Sequence, residues 1–120
     1  MRDAVGESTV APLSLGVRGG GLLFLSGQVG TDPATDELVP GGIAEQAAQA
    51  LTNLLEVVRA AGREPGDVVR IGVYLADIAD WAAVNKVYVT FFDAPYPART
   101  AVAVAALPLG ALVEFDAVVG

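Results

Sequence analysis

The sequence predicts a single α+β domain in which two helices pack on one face of a mixed β-sheet. The first observation is the order of segments with strand or helix character, which is strand, strand, helix, strand, helix, strand, strand. The second is the absence of an internal repeat, a charge run or a linker. This order favours the α+β arrangement over a doubly wound parallel fold, and one domain over residues 1–120 is expected.

The first two strands are expected to form a hairpin. Residues Gly21 to Ser26 form an apolar run between the glycines at 19–21 and Gly27, a pattern typical of a buried strand. Residues Leu13 to Arg18 are the expected partner strand, joined through those glycines. The segment from Thr31 to Gly42 concentrates Asp, Pro and Gly, which predicts a loop.

Two segments have helical periodicity. From Ile43 to Ala61 apolar residues recur at spacings of three and four, and Gly62 follows in the position of a C-cap glycine. A second helix is expected after Asp80, because its carboxylate could cap the first free amides. The residues expected on one face of this helix are Trp81, Val84, Tyr88 and Phe91.

Three further strands complete the predicted sheet. Asp67 to Leu75 is the central strand, whereas Arg99 to Ala105 and Leu112 to Val119 follow a turn at residues 93–97. In the central strand, alternation predicts one face with Val69, Ile71, Val73 and Leu75, and the other with Val68, Arg70, Gly72 and Tyr74. In the last strand, Val113, Phe115, Ala117 and Val119 share one face, and Leu112, Glu114, Asp116 and Val118 share the other.

Composition narrows the possible chemistry. Seven basic and fourteen acidic residues give a net charge of −7, which opposes binding to nucleic acid or to an anionic membrane. The chain has no cysteine and no histidine, so thiolate and imidazole catalysis and the common zinc sites are excluded. Any catalysis must use carboxylates, Arg, Ser, Thr, Tyr, backbone amides or water.

Hydropathy predicts location and assembly. No segment approaches the ~20 apolar residues of a membrane span, and the N-terminus does not resemble a signal peptide, so a cytoplasmic protein is expected. The hydrophobic fraction of 53% is high for a small domain and favours an oligomer that covers apolar surface. An alanine-rich composition could also reflect genome bias.

Arg99 and Glu114 are the main candidates for chemistry. Arg99 begins a strand after a proline-containing turn, where a guanidinium could bind a carboxylate in a cleft, although an ordinary surface arginine is the simpler explanation from position alone. Glu114 lies in an otherwise apolar strand. It could activate water if its face lines a pocket, and it is simply solvated if that face is open.

Other polar groups are less specific. Ser26 and Gly27 end a strand, and Asn85 lies within the second helix, where it could be a pocket group or a structural hydrogen bonder. The glycines at 19–21 match no nucleotide-binding motif and indicate a tight turn. The aromatic residues expected to anchor the core are Trp81, Phe91 and Phe92.

Several segments follow one another in an order that is specific when they are taken together. They are Pro12 with Gly16-Val17, LLFLSGQVGTDP at 22–33, AAG at 60–62, GDVVRIGVYLADIADWAAVNKVYVTFF at 66–92, YPART at 96–100, LP at 107–108 and VEFDAVV at 113–119. Together these segments resemble the reactive intermediate deaminase (Rid, YjgF-type) family. The resemblance implies a chorismate-mutase-like fold and a homotrimeric barrel with a cleft between each pair of neighbouring subunits. It also implies hydrolysis of enamines and imines such as 2-aminoacrylate to 2-keto acids and ammonia, with no cofactor and no metal.

The same resemblance assigns roles to residues. Arg99 would bind the substrate carboxylate and Glu114 would hold the attacking water. The pocket would be shaped by Ser26, Gly27, Asn85, Leu13, Thr100 and Ala101.

The chain also departs from the family pattern. Leu13 replaces a frequent pocket Tyr, Ala101 replaces a frequent Cys, and the loop between Phe92 and Tyr96 is short. These departures leave two alternatives open: a non-hydrolytic protein that binds a small carboxylate, or a pathway-specific isomerase or cyclisation enzyme on the same scaffold.

Overall fold

The computed structural model describes residues 1–120 and has an α+β architecture. Its strands and helices are β1 (Asp3–Glu7), β2 (Ser14–Gly19), β3 (Leu22–Val29), α1 (Ile43–Ala60), β4 (Val68–Leu75), α2 (Trp81–Tyr88), β5 (Ala98–Ala103) and β6 (Val113–Val119). The strands form one sheet in the order β1-β2-β3-β6-β4-β5. Only β4 and β5 are parallel, so the predicted mixed sheet is confirmed.

The core lies between the sheet and helix α1, which packs across β3 and β6 with α2 beside it. Leu51 and Leu54 of α1 meet Ile71 of β4 and Phe115 of β6 in one buried apolar cluster. All four side chains are fully buried. Burial of this kind stabilises a fold by roughly 1.5–3 kcal/mol per large apolar side chain, and the predicted amphipathic pattern of α1 accounts for it.

Helix α1 is also fixed to the sheet by polar contacts. The buried Gln46 accepts a hydrogen bond at its Oε1 from the backbone N of Leu112, at 2.8 Å. Asn53 donates from Nδ2 to the carbonyl oxygens of Val29 and Thr31, at 3.2 and 2.8 Å. These side chains form hydrogen bonds with backbone groups at the end of β3 and just before the start of β6. They therefore fix the position of the helix along the strands.

The predicted hairpin is confirmed. Strands β2 and β3 pair antiparallel from Gly16 with Leu25 to Gly19 with Leu22. Gly20 and Gly21 form the connection with φ of +60° and +78°, a conformation that favours glycine at both positions. Gly62, at φ +78°, likewise follows the end of α1 as predicted.

Strand β1 was not predicted from the sequence. Its residues are mostly exposed, and it pairs only with β2 at the edge of the sheet. A half-buried Val5 is its only contribution to the core. A two-sided polar strand of this kind has no apolar alternation to reveal it.

The predicted alternation of the central strand is wrong at its start. The pairing of β4 with β6 shifts between Val68 and Arg70, which is a β-bulge. Val68 is therefore buried on the core face, whereas Val69 is 49% exposed. From Ile71 onward the predicted faces are correct.

The predicted cap of the second helix is also wrong. Asp80 makes no capping hydrogen bond with its side chain, and it lies in a short 3-10 turn before α2. Asp77 caps that turn instead, because its Oδ1 accepts from the backbone N of Ala79 at 2.9 Å. Within α2, Val84 and Tyr88 are buried as predicted, but Trp81 is 48% exposed and is not a core anchor.

Gly30 lies directly against the backbone of α1, and replacing it should destabilise the fold. A Cβ at Gly30 would lie 2.5 Å from the carbonyl oxygen of Gln46, so the helix backbone would have to move. We expect Gly30→Ala to lower the free energy of unfolding by about 1–3 kcal/mol, measured by urea denaturation. Gly66→Ala is the control, since no atom lies within 4 Å of a Cβ there. Equal midpoints for the two variants would contradict this account.

Candidate active site

Arg99 lies on the helix-covered face of the sheet, at the edge formed by β5. It is the cross-strand partner of the fully buried Ile71, and such partners point to the same face. Its Nη2 donates to Oδ1 of Asn85 at 2.7 Å. The guanidinium carbon lies 4.8 Å from the ring centroid of Tyr88 and 5.9 Å from that of Trp81. Helix α2 therefore supplies every side-chain contact recorded for Arg99.

A cavity of about 270 Å³ opens beside this arginine. Its lining residues are Asn85, Tyr88, Val89, Tyr96, Pro97 and Arg99. Arg99 carries the only formal charge among them, and one hydrogen bond to Asn85 leaves further N–H groups unused. This arrangement can bind a carboxylate, because a guanidinium forms paired hydrogen bonds to its two oxygens.

Glu114 lies on the opposite face of the sheet, which no helix covers. Strand β6 alternates completely, with Val113 and Phe115 buried in the core and Glu114 half-buried on the other side. Gly27 leaves room for the carboxylate, since a Cβ at Gly27 would lie 2.8 Å from the carboxyl carbon of Glu114. The carboxylate therefore rests directly on the glycine backbone.

Ser26 and Gly27 form a β-bulge in strand β3. The pairing with β6 passes from Leu25 with Ala117 to Gln28 with Phe115, so Ser26 and Gly27 oppose the single residue Asp116. Bulges of this kind are common beside active sites because they redirect a side chain. The sequence indicated the end of a strand at this point, but β3 continues to Val29.

The surroundings of Glu114 favour its protonated form. Burial, and then the charge of Asp116 on the same face, raise the pKa of Glu114 above its usual value. Asp116 accepts a hydrogen bond from the hydroxyl of Tyr74 at 3.0 Å and lies 3.8 Å from Arg70. That hydrogen bond is the main cause of a raised pKa of Tyr74, with burial second. A raised pKa makes Glu114 a better proton acceptor in its ionised form.

The remaining predicted pocket residues fall in different places. Ser26 donates from Oγ to the carbonyl oxygen of Ser14 at 2.7 Å, and it lines a groove of about 660 Å³ together with the exposed Leu13. Thr100 is exposed and pairs with Gly72, whose neighbour across the sheet is Asp116. Ala101 is half-buried and packs against the core cluster.

One chain therefore contains two separate parts of the predicted site. Asn85 lies with Arg99 on the helix-covered face, and Gly27 lies with Glu114 on the open face. Within one chain the sheet separates Arg99 from Glu114. Three neighbours were missed as site residues: Trp81 and Tyr88 beside the arginine, and Asp116 beside the glutamate. The spacing of Trp81, Asn85 and Tyr88, four and three residues apart, was the available indication.

Comparisons with known proteins agree with this fold. Residues 4–120 match the model of the family described as endoribonuclease L-PSP. The chain is 47% identical over 115 residues to a 2-iminobutanoate/2-iminopropanoate deaminase of Capra hircus, covering 96% of this chain and 84% of the relative. The corresponding deaminase of Homo sapiens is 44% identical, with the same coverage.

A solved structure gives the same result. RidA from an Antarctic Psychrobacter is 41% identical and superposes with a TM-score of 0.89, covering 96% of this chain and 93% of that one. The chain belongs to the endoribonuclease L-PSP family, which includes the Rid (YjgF-type) proteins, so the resemblance drawn from the sequence is confirmed.

Two other features of the structure concern metals and membranes. No group of three or more His, Cys, Asp or Glu side chains is placed to hold a metal ion. Neither helix combines the length and the apolar character needed to cross a lipid bilayer.

The raised pKa of Glu114 can be tested directly. Asp116→Asn removes the neighbouring negative charge while burial remains, so we expect the pKa of Glu114 to fall toward its usual value. Carboxyl-carbon NMR titration would measure the change. Glu56→Gln, which removes an exposed acid from α1, should leave the pKa of Glu114 unchanged. Equal effects of the two substitutions would mean that net charge, and not Asp116, perturbs Glu114.

Proposed function

We propose that the protein is a cofactor-independent deaminase that hydrolyses 2-imino and 2-enamino acids, such as 2-aminoacrylate, to 2-keto acids and ammonia. The proposal rests on two side chains whose surroundings suit this reaction. Arg99 keeps free N–H donors beside a cavity in which it is the only charge, and Glu114 is a carboxylate with a raised pKa. The names of the goat and human relatives support the same reaction.

The reaction needs only water and proton transfer. Protonation of the enamine carbon, or of the imine nitrogen, gives an electrophilic iminium. Water then adds to the former imine carbon, and Glu114 accepts the proton that the water loses. Glu114 then returns that proton to nitrogen, which makes ammonia the leaving group. The C–N bond breaks as the hydroxyl group gives its remaining proton to the regenerated Glu114 carboxylate and the carbonyl forms. Arg99 holds the substrate carboxylate throughout, so that carbon and water meet in a fixed orientation.

We propose further that the protein acts as a homotrimer with each site between two copies. Arg99 and Glu114 lie on opposite faces of one chain, so an interface that places the open face of one copy against β5 of the next would join them. The open face also exposes apolar side chains, including Leu22 (38%), Phe24 (49%) and Val102 (41%). Exposed apolar surface of this kind supports association.

The charges favour a small carboxylate over RNA, although the family description refers to an endoribonuclease. A polyphosphate backbone would meet a net charge of −7 and the carboxylates of Glu114 and Asp116. A single carboxylate needs only one arginine, which the cavity provides.

Release of ammonia and keto acid from freshly generated imino acids tests the deaminase proposal. We expect Arg99→Ala to lower kcat/KM by about 10- to 100-fold or more, because charge-assisted hydrogen bonds to the carboxylate are lost. Glu114→Gln should lower kcat by about 10²- to 10⁴-fold through loss of the general base. Arg59→Ala is the matched control, since Arg59 pairs only with Glu56 on the surface of α1.

Two outcomes of this assay would contradict the proposal. Full turnover in the Arg99→Ala variant would overturn the proposed role of the arginine. A wild type that releases no ammonia, yet gains thermal stability from 2-oxobutanoate in an Arg99-dependent way, would establish a binding role in place of hydrolysis.

A mixing experiment tests the shared site. The variants Arg99→Ala and Glu114→Gln, each strongly impaired alone, are refolded together so that copies assemble at random. If every site takes its arginine from one copy and its glutamate from the next, about one quarter of the wild-type rate should return. No recovery in a mixture shown to be trimeric by sedimentation would mean that the two groups do not combine across copies.

A further inference from the structure

We propose that Tyr88 and Trp81 are positioning residues, whose ring faces hold the guanidinium of Arg99 in the orientation that receives the substrate carboxylate. This inference rests on the proposed function, because it gives the carboxylate-binding arginine its supports. The three supporting side chains, Trp81, Asn85 and Tyr88, are called the arginine frame below.

The need for a frame follows from the chemistry of arginine. Its long side chain has several rotatable bonds, so an unsupported guanidinium at a sheet edge samples many orientations. Arg99 is only half-buried, and its side chain makes a single hydrogen bond, to Asn85. One hydrogen bond fixes one nitrogen, but it does not fix the plane of the group.

The aromatic rings supply the missing constraint. The guanidinium carbon is 4.8 Å from the Tyr88 centroid and 5.9 Å from the Trp81 centroid, within the ~6 Å range of cation–π attraction. This attraction acts between the charge of the guanidinium and the π-electrons of the rings, and neither ring is a hydrogen-bond partner of Arg99. The rings can therefore hold Arg99 while every donor except the one bound to Asn85 stays available for a carboxylate.

The spacing of the frame along α2 explains how one short helix provides all three contacts. Trp81, Asn85 and Tyr88 are separated by four and then three residues, so they lie along one side of the helix. That side faces the edge strand β5 at Arg99. One side of α2 therefore contacts Arg99 through three of its side chains.

The surroundings of the Tyr88 hydroxyl allow the contribution of the ring to be tested separately from that of the hydroxyl. Tyr88 is 4% exposed, and its hydroxyl has no hydrogen-bond partner within the chain. Burial raises the pKa of Tyr88, and the charge of Arg99 offsets this only in part. The phenol therefore stays neutral, and the attraction to Arg99 comes from the ring, which phenylalanine would preserve.

Three variants test the frame against the wild type: Tyr88→Phe, Tyr88→Leu and Trp81→Leu. We expect Tyr88→Leu to raise KM for the imino acid by about 5- to 30-fold with a smaller change in kcat, which corresponds to loss of a desolvated cation–π contact. Trp81→Leu should raise KM by about 2- to 5-fold, since its ring is more distant and half-exposed. Tyr88→Phe should stay within about twofold of the wild type.

Two further measurements do not depend on turnover. Titration with 2-oxobutanoate, an unreactive keto acid, should show the same order of affinities, with Arg99→Ala as the reference for lost binding. ¹⁵N relaxation of the Arg99 Nε–H group should show greater mobility in both Leu variants than in the wild type or Tyr88→Phe. Trp81→Leu keeps the test decisive if Tyr88→Leu fails to fold, because Trp81 lies outside the core cluster.

Unchanged mobility of Arg99 in the Leu variants would overturn the frame, whatever the activity of the protein. A Tyr88→Phe variant as weak as Tyr88→Leu would also overturn it, since the hydroxyl and not the ring would then matter. Failure of the wild type to hydrolyse imines, with the frame still controlling keto-acid affinity and Arg99 mobility, would refute the deaminase proposal alone.

Discussion

The alternation of strand β6 is the constraint on which the rest of the structure depends. This strand lies between β3 and β4, and each apolar residue on its inner side is buried in the core with α1. Because successive side chains point to opposite faces, burial of Val113 and Phe115 forces Glu114 and Asp116 to the open face. A shift of one residue would bury two carboxylates, so the core itself holds the acidic pair in place.

The two glycines beside this pair follow from the same constraint. Gly27 lies against Glu114 and Gly72 lies against Asp116. In both places the neighbouring strand has a glycine, because a larger residue would collide with the carboxyl group. Partial burial there is the main reason that the pKa of Glu114 is raised. The arginine on the other face depends on a different element, α2, whose side chains contact the guanidinium directly.

Much of the fold could be predicted from the sequence, because a strong periodicity of apolar residues indicates which side of a helix or strand is buried. The hairpin, the long helix and the faces of β6 were predicted from alternation, helical spacing and the glycines. Strand β1 was missed because its residues are mostly exposed, and the bulge at Val68 was missed because an apolar pair such as Val68 and Val69 does not show which member is buried.

The sequence supplied candidate site residues but not their arrangement. The resemblance to the Rid family pointed to Arg99 and Glu114, yet only the strand register shows that they lie on opposite faces. Tyr88 is a core residue as predicted, but its contact with Arg99 was missed, and Trp81 was wrongly expected in the core. Helical spacing alone cannot distinguish packing against apolar side chains from packing against a guanidinium. Only the structure shows that Trp81 is about half exposed.

The separation of Arg99 and Glu114 by the sheet also bears on how the chain can change over time. The side chains that contact Arg99 come from α2, whereas the neighbours of Glu114 come from β3, β4 and β6, so no neighbouring side chain is common to both. Substitutions in contact groups that share no partner have additive effects on folding free energy. Substitutions in α2 could therefore alter the surroundings of the arginine without disturbing the contacts of Glu114 in the same chain, so the two halves of the shared site could be changed by separate mutations.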